Sequence, residues 1–526
     1  MKTMRGKIVY MPAVLAVVFS MFFGRGAAQT VRNYYETPSA PLVLRLYKAT
    51  NPLWRAHEAA VLDYANEFSY ADTWVGGEMS AGDFRRPQQP QSLYDIRFSA
   101  EGAQQVGRFY LNGGFGFRQS YQNDVRFSSV FDPLRGMPYI IADSTGGDWT
   151  KQSYDLWVDI AMPLVRNRFS AGLGVDLAVN RGAKKTDPRP QANTNRIVLK
   201  PSLAFNMGRG GVLSAAFIWS MYKESSNLIL YDASEPQKLY LLKGLGQYTY
   251  EIFSNTERER KYDGDLLGAS AGYAFRRGGF SAALNGRYRN EVEEVYDIDY
   301  SKPHVRGKLY TDMYDASLLL NFTGRRVRHT VSADFGSTSR SGREKVQVFD
   351  PSPDVNSWVT DSEIPARYRN DETRVSAAYG LWIMRGENYL WHMAVTGGYE
   401  KTSRRYDAMN SLLDYRNVSV SLDAEKVFFI RRGFFELGVK LSGVKTLDSE
   451  YAYTERETDD ATIRTGLMEP DYAILSSDYG SVSASLTYGL GLRRGRTLWV
   501  KLGGGYLMAD GGLSRYGADF SVGYTF

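Results

Sequence analysis

The chain has 526 residues, with 64 Lys and Arg against 58 Asp and Glu, a formal net charge of +6 and no cysteine. The lack of cysteine excludes disulfide frameworks, thiolate zinc sites and thiol nucleophiles. Without residues 1–28, which hold four basic residues and no acidic one, the net charge falls to +2. This removes most of the support for nucleic-acid binding. The 14% of aromatic residues argues against a disordered chain.

The N-terminus has the pattern of an export signal. Lys2, Arg5 and Lys7 precede an apolar stretch over 8–23, and small residues occupy 26–28. We predict a secretory signal peptide over 1–28 that is cleaved after Ala28, with an uncleaved membrane anchor as the alternative. No later segment reaches the ~18 consecutive apolar residues that a membrane-spanning helix requires.

Residues 29–59 are too apolar for a free tail, because they include Leu42, Leu44, Leu46 and Trp54. We expect a small plug or a periplasmic cap here, with a plain linker as the alternative. The predicted organisation is therefore a signal peptide over 1–28, this segment over 29–59 and a barrel over 60–526.

The rest of the chain alternates apolar and polar residues with period two, the period of a β-strand. At the C-terminus, for example, Tyr516, Phe520 and Val522 share one face, while Asp519 and Ser521 lie on the other. About eighteen such segments are found, of the ~10-residue kind that membrane barrels contain. Their approximate spans are 60–72, 91–103, 107–120, 151–163, 167–180, 194–208, 211–224, 263–277, 278–292, 306–323, 326–338, 368–385, 388–402, 412–430, 433–446, 478–493, 496–509 and 514–526.

The connections between these segments alternate in length. Short, often Arg-containing turns, such as 276–279 and 385–388, alternate with long loops over 121–150, 225–262, 339–367 and 447–477. An even number of strands places all the short turns, and both termini, on the same side. A sheet in lipid can have no free edge, so it must close. We predict an all-β fold, a transmembrane antiparallel up-and-down barrel of about 16–18 strands; a soluble sandwich or propeller is the alternative.

These features resemble the β-barrels of gram-negative outer membranes. In that group the last strand is read by the barrel-assembly machinery, and its matching residues here are Tyr516, Phe520, Val522, Tyr524 and Phe526. The stretches 82–88, 132–149 and 182–190 are similar to those of an uncharacterised family of large barrels. Asn51-Pro52 is similar to the hatch of long-chain fatty-acid transporters, although the strand number predicted here is larger than in that family. The resemblance implies outer-membrane lipids and the assembly machinery as partners.

The candidate motifs for catalysis are weak. The G-x-S-x-G pattern over 268–272 falls within an alternating strand rather than on the sharp turn that a serine nucleophile needs. The four histidines, His57, His304, His329 and His392, form no close pair in the sequence. We predict no catalytic site, no cofactor and no metal site, and a barrel hydrolase that uses His304 or His392 is the least favoured alternative.

Charged clusters suggest where solutes could be selected. Two acidic runs, over 291–299 and 455–460, lack the spacing of a calcium loop and are expected to be solvated outer loops. Five cations lie in Pro-containing stretches between strands, where loops could fold inward and form a constriction for anions. They are Arg85, Arg86, Lys184, Lys185 and Arg189. The alternative is that they bind acidic loops or lipid phosphates.

The sequence favours a passive channel or a component of solute uptake, which could work beside a partner transporter or surface protein. The competing hypothesis is a structural barrel whose loops present a surface to another protein. An open polar lumen is expected of the first, and a loop-filled interior of the second.

Overall fold

The computed structural model describes residues 40–526, except 57, 66–68, 233, 255–256, 300, 456–459 and 493–495. The predicted signal peptide lies outside the described residues. The described residues form two α-helices, α1 (Ala40–Thr50) and α2 (Glu469–Leu475). Short 3-10 helices cover Pro52–Arg55, Ala59–Tyr64, Asp407–Met409 and Asp510–Gly512, and a π-helical turn covers Arg464–Met468. No helix of this part of the chain is long and apolar enough to cross a bilayer.

Strands make up most of the described chain. In order they are β1 Tyr70–Gly82, β2 Ser92–Val106, β3 Phe109–Val125, β4 Ile141–Ala142, β5 Gly147–Val165, β6 Phe169–Lys184, β7 Arg189–Gly208, β8 Gly211–Ile229, β9 Gln237–Gly244, β10 Gln247–Phe253, β11 Glu257–Arg277, β12 Phe280–Asp299, β13 Lys302–Thr323, β14 Val327–Asp350, β15 Ser357–Arg385, β16 Asn388–Tyr406, β17 Ser411–Ile430, β18 Gly433–Ala452, β19 Tyr479–Gly491, β20 Thr497–Ala509 and β21 Ser514–Thr525. Three of them, β4, β9 and β10, form a separate small sheet.

The other strands form one closed antiparallel barrel of 18 strands, as the alternation predicted. Each strand pairs with its neighbours in the chain, and β1 closes the ring by pairing with β21 from Asp72–Thr525 to Gly82–Arg515. Closure leaves no sheet edge to be satisfied by lipid. Short turns join β2 to β3, β7 to β8 and β11 to β12 at the end of the barrel where β1 begins and β21 ends. We call this end the turn rim and the opposite end the loop rim.

The outer surface of the barrel is apolar, as lipid contact requires. The outward positions of every strand carry exposed large apolar side chains, which include Leu173, Leu203, Phe217, Leu284, Val420, Leu441, Val482, Leu486 and Leu502. Outward aromatic pairs flank this band, as in other membrane barrels. Phe280 and Phe322 pair near the turn rim with ring centroids 5.1 Å apart, and Tyr288 and Tyr314 pair above them at 4.9 Å. The eight-residue step from Phe280 to Tyr288 separates the two aromatic belts by roughly 20 Å for a tilted strand.

Two details of the sequence prediction were wrong. The first strand was predicted over 60–72, but Ala59–Tyr64 is a 3-10 helix inside the barrel and β1 begins at Tyr70. The stretch 339–367 was predicted as a loop, but β14 and β15 extend through most of it and only 351–356 connects them. These strand extensions carry polar residues on both faces, because they lie beyond the lipid and need no apolar face. They therefore lack the apolar–polar alternation from which the other strands were predicted.

Candidate functional site

The turn-rim end of the barrel is filled by residues 40–56 and 58–65, which we call the N-terminal plug. Its helix α1 has two apolar sides. Ala40 and Leu44 pack with Tyr70 and Tyr110 on one side of the barrel. Leu42 and Leu46 pack with side chains of the opposite side, namely Trp382, Tyr389, Val427 and Phe434. The helix therefore crosses the barrel and contacts opposing walls.

Hydrogen bonds and ion pairs hold α1 against the barrel wall. The Arg45 guanidinium donates to the Glu436 carboxylate at 2.8 Å and to the Tyr389 hydroxyl at 3.1 Å, and lies 3.1 Å from Glu425. On the other side, Lys48 forms an ion pair with Glu101 of β2. Charge-assisted hydrogen bonds of this kind are roughly twice as strong as neutral ones, so these contacts fix the position of the helix.

The second half of the plug is held by Glu58. Its buried carboxylate accepts hydrogen bonds from Ser214 Oγ at 3.0 Å and from Ser270 Oγ at 2.5 Å. Ser270 is the serine of the G-x-S-x-G pattern, and it lies within β11. Its hydroxyl therefore has a structural partner, and it lies in a strand as the sequence analysis predicted.

In the described part of the chain the loop rim is filled by three loops, which we call the loop plug: 126–146, 230–254 without 233, and 453–478 without 456–459. They pack into one buried cluster rich in tyrosine. Its members from the loops include Phe127, Tyr139, Ile140, Tyr240, Leu242, Tyr248, Ile463, Leu467 and Met468, and its members from the wall include Tyr222, Tyr262, Tyr368, Tyr406 and Tyr415. The lumen is therefore covered at both ends.

Arginine and lysine residues anchor the loop plug to carboxylates. Arg135 donates both Nη atoms to Glu293 of β12, at 2.7 and 2.6 Å, and its guanidinium lies 4.8 Å from the centre of the Tyr222 ring. Glu293 belongs to the acidic run that was predicted as a solvated outer loop. That prediction was wrong, because the run continues β12 and its inward carboxylates pair with arginines from distant segments. Asp297, for example, accepts from Arg260 at 2.6 and 2.9 Å.

The five predicted cations lie at the loop rim, and the structure does not bring them into one group. Arg86 forms a bidentate pair with Asp471 of α2 at 2.5 and 2.8 Å, and Arg85 contacts Asp124 at 2.7 Å. Lys184 is buried against Asp143 at 2.9 Å. Burial raises the pKa of Asp143, although Lys184 opposes this shift. Arg189 pairs with Asp187 and stacks on Tyr231, whereas Lys185 is exposed.

Between the two plugs the lumen retains a chamber. A cavity of about 1080 Å³ lies between α1 and the wall of β19, β20, β21 and β1, and a second of about 330 Å³ continues along the same wall. Both cavities are lined by Glu78, Glu425, Lys501 and Asp519. The two cavities therefore form one polar space along this wall.

The chamber wall carries charges of both signs. Arg97 lies 2.7 Å from Glu78. Within the described chain, Lys501 and Asp519 line the chamber without an ion-pair partner. Elsewhere on the inner face of the barrel, Arg374 of β15 pairs with Glu372 at 3.4 Å and with Glu400 at 3.3 Å, and its side chain is 66% exposed. Charges without full pairing are stable only in contact with water, so the chamber is hydrated.

The described histidines contact aromatic rings, a phenol hydroxyl or a carboxylate. His392 Nδ1 lies 3.3 Å from Glu425, and its ring stacks on Trp382 with centroids 3.7 Å apart. His304 stacks on Trp358, and His329 contacts the Tyr379 hydroxyl at 2.7 Å. His57 lies outside the described residues. The pairing of His392 with Glu425 could not be found from sequence, because the two residues are on different strands.

The predicted assembly residues lie on β21 and just after it. Tyr516 and Phe520 are exposed on the outer face of the barrel, and Val522 and Tyr524 follow on the same face. Phe526 bonds back to Ala71 through both backbone groups at 2.8 Å. The last strand is thus also the strand that closes the ring.

The family described as "Family of unknown function (DUF6850)" matches residues 59–526. The chain belongs to this family. Its match begins within the N-terminal plug and extends to the last residue, so it includes all 18 strands of the barrel. No curated protein matches the chain.

Several solved structures are similar over most of the chain. They include the ferric yersiniabactin uptake receptor FyuA from Yersinia pestis, with 10% identity, a TM-score of 0.42 and coverage of 87% of this chain and 80% of that one. The outer membrane transporter YddB from Escherichia coli has 8% identity, a TM-score of 0.38 and coverage of 86% and 80%. A Pseudomonas aeruginosa FadL homologue has 13% identity, a TM-score of 0.34 and coverage of 89% and 92%. With all three TM-scores below 0.5, none of these similarities assigns an activity to this chain.

Proposed function

We propose that this protein is a gated outer-membrane channel for the passive uptake of polar solutes. The observation that carries the proposal is the hydrated chamber between two plugs that are held largely by side-chain contacts. Contacts of this kind can be broken and remade without unfolding the barrel. Lumen charge would select the solute, and movement of each plug would open one end in turn.

A loop rim that is filled by loops is the feature expected of a barrel that serves only as a scaffold. A scaffold, however, has no need of a hydrated chamber lined by incompletely paired charges, and a packed interior would exclude such groups because their burial is costly. The contacts of Arg86 and Lys184 with carboxylates of the loop plug, and of Arg189 with the Tyr231 ring, support a role in holding the loop plug rather than in a cationic constriction.

A second candidate function rests on the hairpin of β14 and β15. The ladder of this hairpin continues beyond Gly307–Glu344, the last pair of β14 with β13, and beyond Tyr368–Tyr406, the last pair of β15 with β16. Val346, Val348 and Val359 are exposed on this end of the hairpin. Exposed apolar side chains at the end of a long hairpin offer a surface for contact with another protein, which favours a partner transporter or surface protein at the loop rim.

The turn rim is assigned to the periplasm in this proposal, because short turns face that side in outer-membrane barrels. Outer-membrane lipids and the barrel-assembly machinery would be the partners, and export would use the predicted signal over 1–28. These assignments remain predictions. A protease-protection assay on intact cells, with an epitope inserted in 351–356, tests the orientation.

The absence of cysteine allows a direct test of gating. The Ala60 backbone N–H donates to Ser202 Oγ at 3.0 Å, so the pair Ala60→Cys and Ser202→Cys would tether the N-terminal plug to β7. In planar bilayers we expect the wild type to show openings, the oxidised double variant to be silent, and reduction to restore the openings. The single-cysteine variants are the matched controls.

A second pair tests the loop plug in the same way. Ser226 Oγ donates to the Ser129 backbone carbonyl, so Ser129→Cys and Ser226→Cys would tether loop 126–146 to β8. The double variant Arg45→Ala, Lys48→Ala removes the polar contacts that hold α1 to the wall. The proposal is refuted if this variant and the wild type both stay closed at every voltage. It is also refuted if oxidation of either pair leaves the conductance unchanged.

A further inference from the structure

One row of residues across the chamber wall combines large aromatic rings with glycine. The strand register places Trp499 of β20 opposite Gly523 of β21, and Gly523 opposite Trp74 of β1. Both tryptophans line the larger cavity. Their Cα atoms lie two strands apart, which is about 10 Å.

Gly523 allows the Trp499 indole to lie flat on the wall. A Cβ atom at Gly523 would come within 2.1 Å of the Trp499 ring, so any other residue there would displace the indole. The same arrangement occurs one strand further on, where a Cβ at Gly489 would come within 2.2 Å of the Phe434 ring. A flat ring presents a face, rather than an edge, to the chamber.

The next two rows toward the loop rim are polar. Lys501 lies directly opposite Ser521, and Ser521 opposite Gly76, which pairs with Arg97. One step further, Glu78 lies opposite Asp519. The hydrogen-bond donors, Lys501 and Arg97, therefore lie in one row and the acceptors, Glu78 and Asp519, in the next row toward the loop rim. The small residues Gly76 and Ser521 leave the chamber open in front of the donor row.

This pattern selects for the chemistry of the solute. A solute with one sign of charge would meet both like and opposite charges within a few ångströms and gain little. A neutral polyhydroxylated solute can donate hydroxyl protons to Glu78 and Asp519 and accept from Lys501 and Arg97. The C–H faces of its rings can lie on the indoles, because an aromatic face is negative and attracts weakly positive hydrogens.

We propose that the wall formed by Trp74, Glu78, Trp499, Lys501 and Asp519 is a binding site for a neutral oligosaccharide. This inference rests on the proposed function, because it names the class of solute that the chamber takes up. Binding and passage can be measured separately, so the two proposals can fail separately.

The test is isothermal titration calorimetry of the full mature protein in detergent with maltotetraose and cellotetraose, and with tetraglycine as a zwitterion of similar length. We expect at least one saccharide to bind and tetraglycine not to bind. In the double variant Trp74→Leu, Trp499→Leu the saccharide should bind roughly tenfold more weakly. Trp219→Leu, on the outer face of β8, is the matched control and should bind as the wild type does. Heat-modifiable migration on gels confirms that each variant is folded.

The outcomes separate the hypotheses. Absence of saccharide binding in a wild type that conducts ions overturns the saccharide site and leaves the channel in place. Tetraglycine binding that depends on Trp74 and Trp499 overturns it in favour of a peptide-like solute. Equal binding by the double variant and by the wild type also overturns it. Saccharide binding without any conductance supports the site and refutes the channel.

Discussion

Charged side chains inside the barrel divide into those that anchor the plugs and those that face the chamber. Arg45, Arg86 and Arg135 belong to the first group, and each reaches a carboxylate that is distant in sequence. Lys501 and Asp519 belong to the second. Desolvation makes an unpaired charge costly, so the paired groups are in the packed ends and the unpaired ones in the hydrated middle.

The residue Asp460 tests how the loop plug depends on pH. It accepts from the Tyr240 hydroxyl at 3.1 Å and pairs with Lys238 of β9. Burial raises the pKa of Asp460, but hydrogen bonds from Lys238 and Thr462 lower it by more. The pKa of this carboxyl is therefore well below its ordinary value. A carboxyl with a lowered pKa stabilises the fold above its unfolded pKa of about 4, and this stabilisation is lost as the pH falls through the lowered value.

We therefore expect Asp460→Asn to loosen loop 453–478 at pH 7 by about 1 kcal/mol or less, the range for partly screened pairs. Hydrogen exchange of this loop should be faster in the variant at pH 7, and the difference should disappear in strong acid. Comparing the variant and the wild type at each pH cancels the intrinsic exchange rate. A difference that persists below the lowered pKa would contradict the assignment.

At the scale of elements, the apolar side chains of the N-terminal plug and those of the outer barrel wall have different surroundings. Leu46 of α1 is 4% exposed and packs against side chains of the wall, whereas Val482 of β19 is 45% exposed on the lipid-facing surface. Only the first lies in a packed protein interior, where removing methyl groups leaves a cavity.

Leu46→Ala should destabilise the docked plug by about 2–5 kcal/mol, the usual cost of such a truncation. In planar bilayers the variant should open more often than the wild type, because α1 is held less firmly. Val482→Ala is the matched control and should leave gating unchanged. If Leu46→Ala leaves both hydrogen exchange of α1 and channel opening unchanged, the plug is not held as described.

At the scale of the whole molecule, alternation along each strand separates a lipid-facing surface from a watery interior. Leu486 and Ser485 are neighbours on β19 and point to opposite sides of the wall. An arginine on the lipid side near the midplane costs about 2–4 kcal/mol in membrane barrels. In bilayer vesicles we expect Leu486→Arg to lower the free energy of unfolding by this amount, and Ser485→Arg to change it by much less. Equal losses would show that the two faces do not differ in environment.

The last strand supports a prediction about assembly. The strand β21 closes the ring against β1, and its outer aromatic residues belong to the predicted recognition signal for the barrel-assembly machinery. Phe526→Ala should reduce the folded fraction in cell envelopes several-fold, as measured by heat-modifiable migration. Refolding of the purified variant into detergent should remain close to that of the wild type, because the barrel contacts are mostly kept. An equal loss in both experiments would indicate a purely structural role.

The alternation of residues was sufficient to predict a closed barrel and about 18 strands. Period two is local information, and the need to satisfy every backbone group in lipid then leaves closure as the outcome. The polar extensions of β14 and β15 could not be predicted in this way, since a strand in water needs no apolar face. The start of the barrel was misplaced because the plug and β1 are similarly apolar.

The sequence by itself determined the class of fold, the alternation of short and long connections, and the strand that closes the ring. The tertiary structure alone decided that the acidic run of β12 anchors arginines, that three loops fill the loop rim, and that Trp74 and Trp499 share one row. The physical reason is the separation along the chain between the residues that interact. A strand pattern is set by neighbours two residues apart, whereas an ion pair such as Arg86–Asp471 joins residues 385 positions apart.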